Sequence, residues 1–148
     1  ELIMAISSAI CNSFKQELLV GTHNFTASSG NTFKLALYTS SASLGASTTA
    51  YSTSNEISNT SGSAYTAGGA TLTSVTPVLD SSTAVCDFAD VSFTSASFTA
   101  NGCLIYNDTQ SDKAVAVIAF GGDKTVSSGT FTIQFPTADA SNAIIRLA

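Results

Sequence analysis

Tryptophan is absent, histidine occurs once and proline twice. A single histidine, His23, rules out any two-histidine metal site and leaves one candidate imidazole base, beside Asn24 and Phe25. Without Trp, and with Phe supplying most of the aromatic residues, the stacking platform of a sugar-binding or single-strand-binding groove is poorly stocked. Charge is scarce as well: charged residues make up 10% of the chain, against about 25% in an average soluble domain. The five basic residues, Lys15, Lys34, Lys113, Lys124 and Arg146, form no cluster, and the net charge is -5. No electrostatic footprint for nucleic acid exists, so no nucleic-acid partner is expected.

Long apolar runs are missing too. Ala114 to Phe120 is among the longest, far short of the ~20 residues a helix needs to cross a bilayer, so no membrane partner is expected. The first twenty residues contain Glu1, Lys15 and Glu17 and build no basic region followed by an apolar core, so a standard secretory signal is not expected. Cys11, Cys86 and Cys103 are odd in number and far apart, which fits neither a disulfide framework nor a metal spacing. They are expected to be buried, reduced thiols of a protein folded in the cytosol.

What the chain does have is hydroxyl. Ser and Thr supply roughly three residues in ten, and apolar residues make up 44%. Thr suits the pleat while Ser, Gly and Asn suit the turns, so the composition favours short strands. The 148 residues fit one domain large enough for a real core.

Residues 1–21 read as an N-terminal helical segment: Ile6, Ile10, Phe14 and Leu18 recur every four residues, Ser7 or Ser8 can cap the start, and Gly21 can stop it. Residues 22–148 punctuate themselves into strands. Thr32 to Tyr38 alternates, with Phe33, Leu35 and Leu37 on one face, and reads as half-buried. Further strands are expected at Ala70–Val75, Thr83–Phe88, Val91–Phe93, Phe98–Tyr106 in one or two pieces, Ala114–Phe120, Thr130–Phe135 and Ala143–Leu147. Asn107 to Lys113 reads as a hairpin connection, Gly121-Gly122-Asp123 as a strand end, and Pro77 and Pro136 as strand boundaries. The predicted fold is an all-β, single-domain antiparallel β-sandwich, jelly-roll-like, with one short N-terminal helix.

Residues 39–69 are rich in Ser, Thr, Gly and Asn, and about thirty residues is long for a connection in a compact domain. The segment reads as a functional excursion rather than core. Its isolated large residues, Tyr51, Ile57 and Tyr65, are candidate anchors in a subunit contact, with folding back onto their own sheet as the equal alternative. Phe14 and Leu18 are expected to bury against either the sheet or a neighbouring subunit.

No pattern calls for chemistry. There is no Gly-x-Ser-x-Gly elbow, and Gly68-Gly69 and Gly121-Gly122 lack a following Walker lysine. Asp87 with Asp90, and Asp108 with Asp112, read as solvated turn residues rather than as a glycosidase pair or a calcium loop. The sequons at Asn24, Asn59 and Asn107 are what chance supplies in so Ser- and Thr-rich a chain. Neither a catalytic role nor a cofactor is expected.

Several segments carry a resemblance: Met4-Ala5-Ile6-Ser7-Ser8-Ala9-Ile10, Ser13 to Leu19, Phe33 to Thr39, Ala50 to Glu56, Tyr65 to Gly69, Leu104 to Asn107, Ala114 to Val117 and Phe131 to Pro136. In them the chain resembles a family of small virion-associated proteins of tailed bacteriophages, over nearly its whole length. The resemblance places the start at Met4, with Glu1-Leu2-Ile3 ahead of it. It implies a non-enzymatic structural role in the virion, with the major capsid protein or other virion subunits as partners, homo-oligomerisation, and assembly in the host cytoplasm. The leading expectation is a capsid decoration (cement) protein. A tail, collar or fibre component is the first alternative, and a module binding host-surface glycan through residues 39–69 is the second.

Overall fold

In a computed structural model the described residues are 5–58 and 65–148. The elements run β1 (Ala9–Ile10), α1 (Asn12–Leu19), β2 (Phe33–Tyr38), β3 (Ala70–Thr71), β4 (Ser74–Asp80), β5 (Thr83–Phe88), β6 (Val91–Asn107), a 3-10 turn (Asp108–Gln110), β7 (Lys113–Ile133) and β8 (Ile145–Leu147). They form two antiparallel sheets, a large one in the order β1-β7-β6-β2-β3 and a small one in the order β4-β5-β8. The sheets meet through aromatic rings: Phe33 of β2 lies 5.7 Å from Phe88 of β5, and Phe25 stacks on Phe33 at 4.3 Å. The all-β, sandwich-like fold with one short helix is therefore present. Half of the neighbouring pairs, β2·β3, β4·β5 and β6·β7, are consecutive in sequence, and a jelly-roll connectivity is not established by these orders.

The N-terminal segment departs from its expected form. Its helix spans only Asn12–Leu19, with Cys11 rather than Ser7 or Ser8 at the N-cap position, while Ala9 and Ile10 pair with Val117 and Ala116 as a strand. A four-residue spacing is an even number, so Ile6 and Ile10 share a face in a strand as readily as in a helix. The free edge of β7 decides between the two by offering backbone partners. Ser8 caps that edge from its hydroxyl, which accepts the Ala119 N–H at 2.9 Å. Gly21, at φ 77°, ends the helix as expected, its N–H donating to the Leu18 carbonyl.

Two expected pairs of strands are each one long strand. β6 runs unbroken from Val91 to Asn107, and β7 passes straight through Gly121-Gly122-Asp123. There Ala119 faces Gly102 and Lys124 faces Ala100, so Phe120 to Asp123 bulge out opposite Asn101 alone. Gly121 and Gly122 supply the positive φ values of 77° and 145° that the bulge needs, and Asn101 Nδ2 donates to Asp123 Oδ1 at 2.9 Å. Pro77 likewise lies inside β4 rather than at its boundary. It is tolerated because β4 is an edge strand and its register shifts between Val75 and Val78. The Asn107–Lys113 hairpin is as expected, with Asn107 Oδ1 accepting the Gln110 N–H at 3.2 Å.

Strand β2 is buried on both faces, not one. Its second face is covered by residues 39–57, which cross the large sheet from β7 to β2. Tyr51 N–H donates to the Asp112 carbonyl near β7, and Ile57 N–H donates to the Leu37 carbonyl of β2. All three cysteines are buried and unpaired, and burial pushes the Cys11 thiol up to about 11 and those of Cys86 and Cys103 up to about 12.

Candidate docking surface

The expected anchors of the 39–69 excursion turn inward. Ile57 is 5% exposed, Tyr65 is fully buried, and Tyr51 stacks on Tyr106 with ring centres 4.6 Å apart. In this fold Ile57 and Tyr65 are core residues of their own chain, the arrangement expected of them if they fold back onto their own sheet. The physical cause is the outer edge of β2, whose backbone groups beyond β3 need partners. Leu37 N–H donates to the Tyr65 hydroxyl at 3.0 Å, and Ile57 N–H donates to the Leu37 carbonyl at 3.0 Å.

Glu56 organises this crossing. Its carboxylate accepts from the Tyr51 hydroxyl at 2.6 Å, the Tyr65 hydroxyl at 2.5 Å and the Gly68 N–H at 2.8 Å. The chain's other two tyrosines join the same layer, Tyr38 donating to the Ser52 carbonyl and Tyr106 to the Gly68 carbonyl. Burial holds all four phenols well above their ordinary 10.0; Glu56 adds to the effect at Tyr38, Tyr51 and Tyr65, and Tyr51 adds to it at Tyr106. An acid with a raised folded-state pKa stabilises the fold below its unfolded pKa and ceases to do so as the pH climbs toward the folded value. Stability should therefore hold up to pH 10 and fall above it. In an absorbance titration the phenolate signal should rise only together with unfolding; four phenols titrating near 10 in a folded protein would contradict this arrangement.

His23 is not placed as a base. Its side chain is fully buried; Asn107 Nδ2 donates to Nδ1 at 2.9 Å, which leaves the proton on Nε2 to be donated to Glu17 Oε2 at 2.7 Å. Asn107 also donates to Asn31 Oδ1 at 2.9 Å, so the network ties the end of α1 to the hairpin beneath it. Both ring nitrogens are engaged, and neither is available to a substrate.

The carboxylates are dispersed into structural tasks. Asp90 accepts the Phe135 N–H at 2.9 Å, Asp87 accepts the Phe88 N–H at 2.8 Å, and Asp108 pairs with Lys34 at 3.0 Å. Asp87 and Asp90 border an open cleft of about 530 Å³ whose other walls include Val75, Val78, Gln134 and Thr137. No basic side chain lines it, and no metal-competent cluster of His, Cys, Asp or Glu exists among the described residues.

The large apolar side chains left exposed among the described residues are Leu19, Val20, Val75, Val78, Leu79 and Leu147, all at the end of α1 or on the small sheet. Antiparallel pairing sets Leu79 and Leu147 on either side of Ala84, in one row of the small sheet's inner face. That row runs past the core, so Leu79 is 73% and Leu147 57% exposed, while Leu19 at the helix end is 88% exposed. Between helix and sheet lies a groove of about 140 Å³, walled by Phe14, Leu18, Pro77, Ala84, Ile145 and Leu147 among others, without a charged side chain. The structure thus brings Phe14 and Leu18 together: Phe14 is buried, and Leu18 forms part of the groove wall.

Sequence reasoning missed Leu19, Val20, Leu79 and Leu147. Two signals for them were present. Leu18-Leu19-Val20 is too apolar for one helical stripe, and Val78-Leu79 places apolar side chains on both faces of a strand. No family model matches the chain, and no curated protein or solved structure matches it.

Proposed function

We propose that the chain is a non-enzymatic structural subunit of a bacteriophage virion, most specifically a capsid decoration (cement) protein that binds over the capsid lattice. The observation that carries this reading is the set of large apolar side chains left exposed at the end of α1 and on the small sheet of an otherwise hydroxyl-rich, weakly charged domain. Subunits of assemblies bury large apolar side chains of this kind where they meet. Two titratable residues weighed for chemistry are engaged within the chain: His23 at both nitrogens, and Asp90 on the Phe135 backbone. The resemblance to virion-associated proteins of tailed phages supplies the particle.

Attachment through apolar burial resists salt, because screening acts on charge pairs. Particles assembled from the genome that encodes the chain should hold it at a copy number close to that of the capsid subunit, and should keep it through a high-salt wash. A few copies per particle would move it to the tail, collar or fibre. Its absence from particles would overturn the virion reading.

A further inference from the structure

We infer that His23 is a proton-operated latch: its neutral ring ties the end of α1, the loop from Asn24 to Asn31 and the β6–β7 hairpin together, and a proton on Nδ1 opens the tie. The latch belongs to the isolated chain and does not depend on the virion reading. Two backbone donors fix the direction of every bond in it. The Asn24 N–H donates to one arm of the Asn31 side chain at 2.9 Å, which makes that arm the oxygen, Oδ1. The Asn107 atom 2.9 Å from this same oxygen is therefore the amide nitrogen, Nδ2. The Gln110 N–H donates to the other arm at 3.2 Å, as it must if that arm is Oδ1. Nδ2 turns its second hydrogen to His23 Nδ1 at 2.9 Å, so Nδ1 accepts and carries no proton. On the ring's far side Glu17 Oε2 accepts from Nε2–H at 2.7 Å in either charge state, so an added proton goes to Nδ1.

There the proton meets an N–H. Asn107 is fully buried and the His23 side chain with it, so solvent does not relieve the conflict. If the Asn107 amide turns over to offer its oxygen, its nitrogen faces the Gln110 N–H and its oxygen faces Asn31 Oδ1; if Asn31 turns as well, its nitrogen faces the Asn24 N–H. The ring itself is gripped by Glu17 and by Phe14, whose ring centre lies 4.8 Å away, with Phe25 and Phe33 at 6.5 and 6.4 Å. Asn24, Asp108 and Thr109 are exposed, so the bonds at Asn24 and in the 3-10 turn are the ones that yield to water. The surrounding charges leave Nδ1 to Asn107. On α1, Glu17 holds Nε2, and the Cys11 thiol at the N-cap, pushed up to about 11 by burial and by Glu17, stays neutral. At the hairpin, Asp108 pairs with Lys34 of β2 at 3.0 Å, Asp112 gives its carbonyl to Tyr51, and Lys113 stands opposite Asn107 in the ladder.

The test is nuclear magnetic resonance on the full nitrogen-15-labelled chain, titrated from about pH 8 to about pH 5, the range over which imidazoles change charge. His23 is the chain's one histidine, so its ring nitrogens are read without ambiguity. At the upper end Nε2 should carry the proton and Nδ1 none. As the ring takes up its second proton, the Asn24 and Gln110 amides should shift in step with it and lose about tenfold in exchange protection, the equivalent of one hydrogen bond. The Leu37 and Ile57 amides, in the crossing over β2, should keep theirs. His23→Phe should abolish the response at both amides, and the titration of the unaltered chain decides the matter even where that variant does not fold. A proton on Nδ1 at the upper end, a ring that stays neutral until the whole domain unfolds, amides that do not move as the ring titrates, or a response that survives in His23→Phe would each overturn the latch.

Discussion

Replacing Phe33 by alanine is expected to remove a large part of the domain's folding stability. Phe33 is fully buried and sits where the layers meet: it stacks on Phe25 at 4.3 Å and lies 5.7 Å from Phe88 and 6.4 Å from His23. Removing a buried phenyl ring costs about 3–5 kcal/mol through lost transfer energy and the cavity left behind. A domain of this size has roughly 5–15 kcal/mol in total. The cavity cannot easily collapse, because its walls are strands fixed by their ladders, so the upper part of the range applies. Urea unfolding followed by circular dichroism gives the measurement, with Phe33→Leu as an intermediate. A loss below about 1 kcal/mol would mean that the sheets are held together elsewhere.

Replacing Glu56 by alanine should act differently, by opening one layer rather than the whole molecule. The substitution strands two phenol hydroxyls and the Gly68 N–H, all of which donate to its carboxylate. An orphaned buried polar group costs about 1–3 kcal/mol, and the three together should cost about 3 kcal/mol once water relieves part of the loss. The effect should appear in hydrogen exchange. The amides of Leu37, Ile57 and Gly68 should lose most of their protection, while those of the β6·β7 ladder keep it. Glu56→Gln retains an acceptor oxygen and should fall in between. Protection unchanged in the alanine variant would show that Glu56 is not what holds the crossing in place.

The same two positions show how much could be read from the chain. Phe33 stands in an alternating run and was legible as core, because a period of two reports one buried face directly. The burial of its neighbours Ala36 and Tyr38 on the other face was not legible, since the cover comes from a segment with no period at all. Tyr51, Ile57 and Tyr65 are spaced irregularly, and each fixes one point of a crossing whose backbone is satisfied bond by bond. A polar, Gly- and Ser-rich stretch of that kind reads as solvated loop whether or not it lies on a sheet. The docking surface was hidden for another reason: Leu79 falls outside every expected strand and Leu147 looks like an ordinary strand residue, and only pairing with β5 sets the two in one row beyond the core.

The sequence by itself determined the all-β class, the short helix with its stop at Gly21, the hairpin at Asn107 to Lys113 and the weak surface charge. Each of these rests on local chemistry: periodicity, turn residues and composition. Only the tertiary structure decided that Ile6 and Ile10 leave the helix, that Gly121-Gly122 is a bulge rather than an end, that residues 39–57 cover the second face of β2, and which apolar side chains stay exposed. All of these depend on partners distant in sequence. A backbone edge that needs hydrogen bonds, or a sheet row that outruns its core, is a property of two segments together and is written in neither one alone.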